Sequence, residues 1–87
     1  MQYYVYMLRS KSIRPVTYVG YTNSLKKRIS KHNNGKGAKF TKGRQWVLIY
    51  KEKFKSKEEA ISREYYIKKN RKLRDKIKNE NSNPITI

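Results

Sequence analysis

The chain has 87 residues and carries a formal charge of +17, because 23 lysines and arginines stand against only 6 aspartates and glutamates. A chain of this length forms one domain with a small core. It contains no cysteine, which excludes a disulfide scaffold, a thiolate zinc site and a cysteine nucleophile. Its apolar runs, residues 4–8 and 46–50, are far shorter than the roughly 20 residues that span a bilayer. We therefore expect a cytoplasmic or nucleoid-associated protein.

The excess of positive charge indicates an acidic partner. Nucleic acid is favoured, because each phosphate that a protein neutralises releases condensed counterions. Composition leaves DNA and RNA both open. An anionic membrane surface is the alternative, but the basic segment Lys68–Lys78 has few large apolar residues, so no membrane partner is expected. The sequence identifies no protein partner.

Aromatic and β-branched residues in the first half of the chain predict two short strands. These strands cover Tyr3–Leu8 and Thr17–Tyr21. The loop between them, Arg9–Pro15, is short, so the strands should pair antiparallel. A helix follows, capped by Asn23 or Ser24.

The second half of the chain predicts one helical turn, one strand and two helices. The turn lies within Ala38–Gly43 and the strand covers Val47–Phe54. Ser56 and Glu59 form a capping box that starts a helix ending near Asn70, with Ala60, Ile61, Tyr65 and Ile67 expected on its apolar side.

A basic helix at Lys72–Lys78 follows. Pro84 prevents the polar residues beyond this helix from forming another one. The prediction is one α+β domain over residues 1–79, with a small three-stranded, mostly antiparallel sheet flanked by helices. Residues 80–87 are expected to form a polar tail.

The small number of acidic residues limits the kind of metal site that the chain can form. A two-metal nuclease needs several carboxylates around ions about 4 Å apart, and the sequence offers six acids and one histidine. Glu64 has Ala60 one turn before it and Ile67 one turn after it, so it lies near the apolar side of its helix. A carboxylate there needs an arginine or a metal ion as its partner, and both remain open. A site built on Glu64 would hold one ion through one carboxylate and waters, which suits Mg²⁺.

Two further pairs of residues are candidates for chemistry. Arg28 and His32 are four apart and share a helix face, where a guanidinium could grip a phosphate. The alternative is a solvated pair on an exposed helix. Tyr6 and Tyr18 could lie on one face of the sheet and bind a water or transfer a proton. The alternative is ordinary half-buried packing.

Taken in order, these residues resemble the GIY-YIG nuclease family over residues 3–78. The resemblance is closest to the small stand-alone members that are related to the N-terminal catalytic domain of an excinuclease. The matching motifs are Tyr4-Val5-Tyr6, Tyr18-Val19-Gly20, Arg28 with His32, Arg63-Glu64-Tyr65, Gly37–Thr41, Val47–Tyr50 and Asn83-Pro84.

The resemblance implies a β-β-α-α-β-α order and a DNA endonuclease of repair or recombination that uses one Mg²⁺ or Mn²⁺ ion. Tyr6 matches a tyrosine that acts as a base or positions water, and Tyr18 matches the second motif tyrosine. Arg28 matches the catalytic arginine, and His32 a polar position that supports it. Glu64 matches the metal-binding glutamate.

One further position fits the resemblance, two depart from it and one is undecided. Gly20 matches a glycine that lets substrate or the neighbouring helix approach. Tyr4 replaces the first glycine of the first motif, and Trp46 stands where a proline is expected, which affects packing or substrate contact. Asn79 or Asn83 could fill the family's asparagine position after the last helix.

Two hypotheses follow for the function. The first is a metal-dependent DNA endonuclease. The second is a basic nucleic-acid-binding module without hydrolysis. In both, a set of basic residues could grip phosphates without reading bases: Lys11, Arg14, Lys36, Lys39, Lys42 and Arg44.

Overall fold

A computed structural model describes residues 2–87 and confirms the predicted α+β class. Three strands and three α-helices lie within this range, together with a single 3-10 turn at Lys39–Thr41. The strands and helices are β1 (Tyr3–Ser10), β2 (Thr17–Thr22), α1 (Leu25–Asn33), β3 (Trp46–Phe54), α2 (Lys57–Lys69) and α3 (Arg71–Glu80). The second helix of the predicted order is therefore only the 3-10 turn, and the basic segment forms a third helix.

The three strands form one sheet in the order β2-β1-β3, and both pairings are antiparallel. Side chains alternate across β1, as the strand period requires. Val5 and Met7 are buried in one cluster with residues of α2 and α3. Tyr6 and Leu8 are buried in the other cluster with residues of α1. The sheet is thus covered on both faces, and Tyr6 lies on the face that α1 covers.

A β-bulge in β3 changes which face its residues occupy. Met7 pairs with Tyr50 and Leu8 pairs with Leu48, so Ile49 is the extra residue. Beyond the bulge, β3 turns Glu52 toward α2. There both carboxylate oxygens of Glu52 accept hydrogen bonds from Arg63, at 2.8 and 3.3 Å.

The helix starts follow from local hydrogen bonds. Ser56 is the N-cap of α2, and its hydroxyl accepts from the backbone N–H of Glu59 at 3.2 Å, as the capping box predicts. The start of α1 is Ser24 rather than Asn23. The backbone N–H of Ser24 is held by the hydroxyl of Thr22 at 3.1 Å, so the turn before α1 is fixed by the end of β2.

The prediction for the apolar side of α2 is correct for two residues and wrong for the other two. Ala60 and Ile67 are buried, but Ile61 and Tyr65 are 40% and 58% exposed. Ala60 and Ile67 are seven residues apart, so they share one narrow stripe that faces the sheet. Ile61 and Tyr65 lie beside this stripe and face solvent.

The residues after α3 return to the sheet. The backbone N–H of Ile85 donates to the carbonyl of Leu48 at 2.7 Å, and the Ile85 side chain packs against the cluster that contains Tyr6. This contact explains why an apolar residue follows Pro84. Within residues 2–87, no helix combines the length and the apolar composition needed to cross a membrane.

Candidate active site

The centre of the candidate site is a buried contact between β1 and α1. The hydroxyl of Tyr6 lies 2.8 Å from Nε2 of His32. Tyr6 is 1% exposed and His32 is 0% exposed. His32 occupies the last turn of α1, so the helix sets its position while β1 sets that of Tyr6.

Thr41, in the 3-10 turn, fixes the protonation of His32. Its hydroxyl lies 2.9 Å from Nδ1 of His32 and donates to the carbonyl of Ala38 at 2.8 Å. A hydroxyl has one proton, so Thr41 accepts from Nδ1–H. Nε2 is then the lone-pair nitrogen, and it accepts the proton of Tyr6. This assignment gives every donor in the chain of hydrogen bonds an acceptor.

Two glycines leave room for this pair. A Cβ on Gly20, which lies opposite Tyr6 on β2, would come 2.5 Å from the Tyr6 hydroxyl oxygen. A Cβ on Gly37 would come 2.2 Å from Nδ1 of His32. The space beside Gly20 is therefore filled by the ring of Tyr6, and not by substrate or a neighbouring helix as the sequence suggested.

Burial keeps both members of the pair neutral near pH 7. Desolvation raises the pKa of Tyr6 to about 12, although Arg28 opposes that shift. Desolvation, and then the positive charge of Arg28, lower the pKa of His32 to about 4. The shared proton therefore resides on Tyr6.

Arg28 borders both the pair and the solvent. It lies one turn before His32 on α1, as predicted, and interaction with the Tyr6 hydroxyl raises the pKa of its guanidinium. Its Nε is buried and is the one buried side-chain nitrogen or oxygen without a hydrogen-bond partner in residues 2–87. Arg28 also lines an open cleft of about 400 Å³, together with Tyr3, Tyr21, Thr22, Asn23 and Lys57.

Tyr18 lies on the same face of the sheet as Tyr6, as predicted. Its ring centroid is 5.0 Å from that of His32, and its hydroxyl contributes to the raised pKa of Arg28. Tyr18 is half-buried. Lys68 of α2 lies over its ring, with Nζ 5.5 Å from the centroid.

Glu64 of α2 faces this group, and its ion-pair partner is Lys68 rather than the arginine that the sequence left open. A metal ion as its partner stays a prediction. The Glu64 side chain is 17% exposed and lies 3.6 Å from Nζ of Lys68. The neighbouring Arg63 bonds to Glu52 instead. The charge of Glu64 contributes to the raised pKa of Tyr6, after burial and the other charges around it. Glu64 is thus a half-buried carboxylate on the side of α2 that faces the site.

Acidic residues are confined to the second part of the chain. The first 51 residues contain 12 lysines and arginines and no aspartate or glutamate. All six acids lie on β3, α2 and α3. No group of three or more histidine, aspartate or glutamate residues within residues 2–87 is placed to hold one ion together.

The six residues predicted to grip phosphates are all exposed. Lys11 and Arg14 lie in the loop between β1 and β2. A hydrogen bond from the N–H of Lys11 to the carbonyl of Gln45 joins that loop to the segment before β3. The other four are Lys36, Lys39, Lys42 and Arg44, which lie between α1 and β3.

Thr41 and Gly37 are site residues that the sequence did not reveal. Both belong to the Gly37–Thr41 segment that supports the family resemblance. The one available signal was a small polar residue at the end of that segment. Trp46, in the unexpected position before β3, is explained by packing: its Nε1 donates to the carbonyl of Thr41 at 3.0 Å, and its side chain is 2% exposed.

The asparagine position stays open. Asn79 is an exposed residue of α3 that lies in a shallow depression with Arg9 and Pro15. Asn83 is an exposed residue beyond the end of α3. A third asparagine, Asn81, donates to the carbonyl of Ile77 at 2.8 Å and so closes the end of α3.

Comparisons with known proteins show which family the chain belongs to. The family model of the GIY-YIG catalytic domain matches residues 2–80. A UPF0213 protein of Clostridium perfringens is 54% identical over 86 residues, which cover 90% of each chain. A UPF0213 protein of Staphylococcus saprophyticus is 48% identical over 68 residues, which cover 77% of this chain and 80% of that one.

A solved structure shares the fold. The solution NMR structure of a UPF0213 protein from Bacillus halodurans superposes with a TM-score of 0.54 and 42% sequence identity, covering 88% of this chain and 82% of that one. The chain therefore belongs to the GIY-YIG catalytic-domain family, a family of nucleases, and resembles its small UPF0213 members.

Proposed function

We propose that the protein is an endonuclease that hydrolyses phosphodiester bonds in DNA during repair or recombination, with one divalent ion, Mg²⁺ or Mn²⁺. The observation that carries the proposal is the buried, unpaired Nε of Arg28. Buried donors in native proteins almost always have a partner. Arg28 lines the open cleft and interacts with the Tyr6 hydroxyl. A phosphate in the cleft would meet its guanidinium and, after a small movement of that side chain, would give the unpaired donor an acceptor.

Arg28 would stabilise the negative charge that develops on the phosphate. The hydroxyl groups around it favour its charged form. Arg28 lies on α1 one turn before the buried His32, and its guanidinium interacts with the hydroxyls of Tyr6 and Tyr18, which would position it for the phosphate. Charge stabilisation by a positioned donor of this kind accounts for factors of about 100 to 1,000 in rate.

Tyr6 would hold and orient the attacking water. Its proton points to His32, and Arg28 hydrogen-bonds to its oxygen, so a water would bind the remaining lone pair of that oxygen beside Arg28. With a pKa of about 12, Tyr6 does not ionise at neutral pH. It could take the proton of the water only while passing its own proton to Nε2 of His32. His32 is fully buried, so it would act through Tyr6 and not on the DNA.

Glu64 would hold the divalent ion. A single half-buried carboxylate fits an ion that takes its other ligands from waters and from the substrate phosphate. When bound, the ion would neutralise charge on the phosphate and lower the pKa of a bound water. Lys68 and Tyr18 would complete the rim of the site, and the six exposed basic residues would hold the DNA backbone.

The proposal is tested by incubating the purified protein with branched, nicked and linear DNA in Mg²⁺ or Mn²⁺. We expect cleavage of at least one substrate, abolished by a chelator and reduced at least about 100-fold in Arg28→Ala. Arg71→Ala is the matched control, because it removes the same charge from a side chain that is 86% exposed on α3. Cleavage at the wild-type rate in Arg28→Ala would overturn the assigned role.

A non-catalytic nucleic-acid-binding module is the second candidate, favoured by the acid-free charge of the first 51 residues. It predicts salt-dependent binding with no cleavage of any substrate. Affinity alone does not separate the two functions, because both predict a steep dependence on salt. The cleavage assay does.

A further inference from the structure

Phe40 is a large apolar side chain left open beside the site. It is 53% exposed. Its ring stacks on Tyr18, with centroids 6.3 Å apart and planes 20° apart. Trp46 lies 6.2 Å from it on the inner side. The neighbouring residue, Thr41, is tied to His32, so the backbone that presents Phe40 is anchored in the candidate site.

Arg44 lies over the Phe40 ring, with Cζ 5.4 Å from the centroid. A similar pair exists on α2, where Arg63 lies 5.6 Å from the centroid of Tyr66, a ring that is 54% exposed. The two pairs differ in charge. Arg63 is neutralised by Glu52, whereas Arg44 has no carboxylate partner within residues 2–87.

The chain around Phe40 is basic, and the first acidic residue in the sequence is Glu52. Lys39 and Lys42 flank it in the chain and are exposed. Tyr18 joins it to the site, because the Tyr18 ring contacts both His32, at 5.0 Å, and Phe40. An exposed aromatic ring within a positively charged surface is the arrangement that binds single-stranded nucleic acid, where bases stack on the ring.

We propose that Phe40 and Arg44 form a stacking platform for an unpaired base of the DNA strand that enters the site. The inference rests on the proposed function and names its substrate class. In a continuous duplex each base is already stacked between its neighbours, so its face is closed to Phe40. DNA with an unpaired base near the cleaved bond, as in a flap, gap or branch, should therefore bind more tightly than a plain duplex of equal length.

The test measures binding without metal, so that it does not depend on cleavage. The probes are a duplex and a flap DNA of equal phosphate count, at one salt concentration, because phosphate contacts contribute to both. We expect the wild type to prefer the flap. Phe40→Ala should bind the flap about 5- to 100-fold more weakly, because stacking of one base on an aromatic ring contributes about that much affinity. Its affinity for the duplex should change little.

Two variants separate stacking from loss of structure. Phe40→Tyr keeps an aromatic ring and should keep the preference. Tyr66→Ala removes an equally exposed ring that also has an arginine over it, and should change neither affinity. A 2-aminopurine at the unpaired position should change its fluorescence on binding to the wild type and not to Phe40→Ala.

The outcomes distinguish the two proposals. If the protein cleaves DNA in Mg²⁺ but Phe40→Ala keeps the wild-type flap preference, the result contradicts the stacking platform and supports the nuclease function. If Phe40→Ala loses flap binding but the wild type cleaves no substrate, the result supports the stacking platform and contradicts the nuclease function.

Discussion

The hydroxyl of Tyr6 donates to Nε2 of His32 at 2.8 Å across 26 positions of sequence, in a part of the protein closed to solvent. Thr41 holds the other nitrogen of the ring at 2.9 Å. The hydroxyl proton of Tyr6 therefore points to His32 before any substrate binds. The oxygen of Tyr6 is left as an acceptor next to Arg28.

Tyr6→Phe removes the group that would orient the water. We expect cleavage to fall about 100- to 10,000-fold, the range for a lost acid–base group, with DNA affinity unchanged because the side chain is 1% exposed. Stability should fall by about 1–3 kcal/mol, because Nε2 of His32 loses its donor. Single-turnover cleavage and urea unfolding measure the two effects. Tyr4→Phe, on the same strand and face, is the control.

Thr41→Val leaves the buried Nδ1–H of His32 without an acceptor. We expect a loss of about 1–3 kcal/mol in the free energy of unfolding. A mixture of histidine tautomers should also appear, visible in the ¹⁵N shifts of the imidazole, and cleavage should slow. Thr41→Ser keeps the hydroxyl and should restore a single tautomer. A single Nδ1–H tautomer in Thr41→Val would show that this hydrogen bond does not set the protonation.

Gly37→Ala places a methyl group where Nδ1 of His32 lies, since the added Cβ would come within 2.2 Å of it. His32 is buried, so the ring has little room to move, and we expect about 1–3 kcal/mol of destabilisation with displaced histidine resonances. Gly43→Ala is the control: open space surrounds Gly43, but its φ of 78° disfavours alanine. It should lose stability without shifting the His32 resonances.

The pH dependence of stability should report the burial of His32. Its pKa is about 4 in the folded protein and about 6.5 in the unfolded chain. As pH falls from 6.5 to 4, the unfolded state binds a proton that the folded state does not, so stability falls by roughly 1 kcal/mol per pH unit. Above pH 6.5 this group has no effect. Urea unfolding of the wild type and His32→Gln between pH 7 and 4.5 measures the difference, and parallel curves would contradict the assignment.

The sequence predicted the parts of the fold that depend on local pattern. Runs of aromatic and β-branched residues predicted the strands, and the capping box placed the start of α2 at Ser56. The placement of Arg28 and His32 one turn apart on a helix, and of Tyr6 and Tyr18 on one face of the sheet, was also predicted. Their choice as site residues came from the family resemblance. Their roles in catalysis remain predictions.

Features that depend on long-range packing were not predicted. Thr41 acts on His32 through a contact that exists only after the 3-10 turn folds onto α1. The bulge at Ile49 depends on the pairing of β3 with β1, and beyond it Glu52 lies on the face where it meets Arg63. The return of Ile85 to the sheet likewise needs a surface that only the folded sheet offers.

The most direct test of the central claim is the rate of DNA cleavage by Glu64→Gln in Mg²⁺, measured beside its DNA affinity. Glutamine keeps the size of the side chain and removes the charge that would hold the ion. Glu58→Gln, an exposed acid in the first turn of the same helix, is the control. We expect Glu64→Gln to bind DNA as the wild type does and to lose cleavage by at least about 100-fold, while Glu58→Gln remains active. Wild-type cleavage by Glu64→Gln would contradict the account.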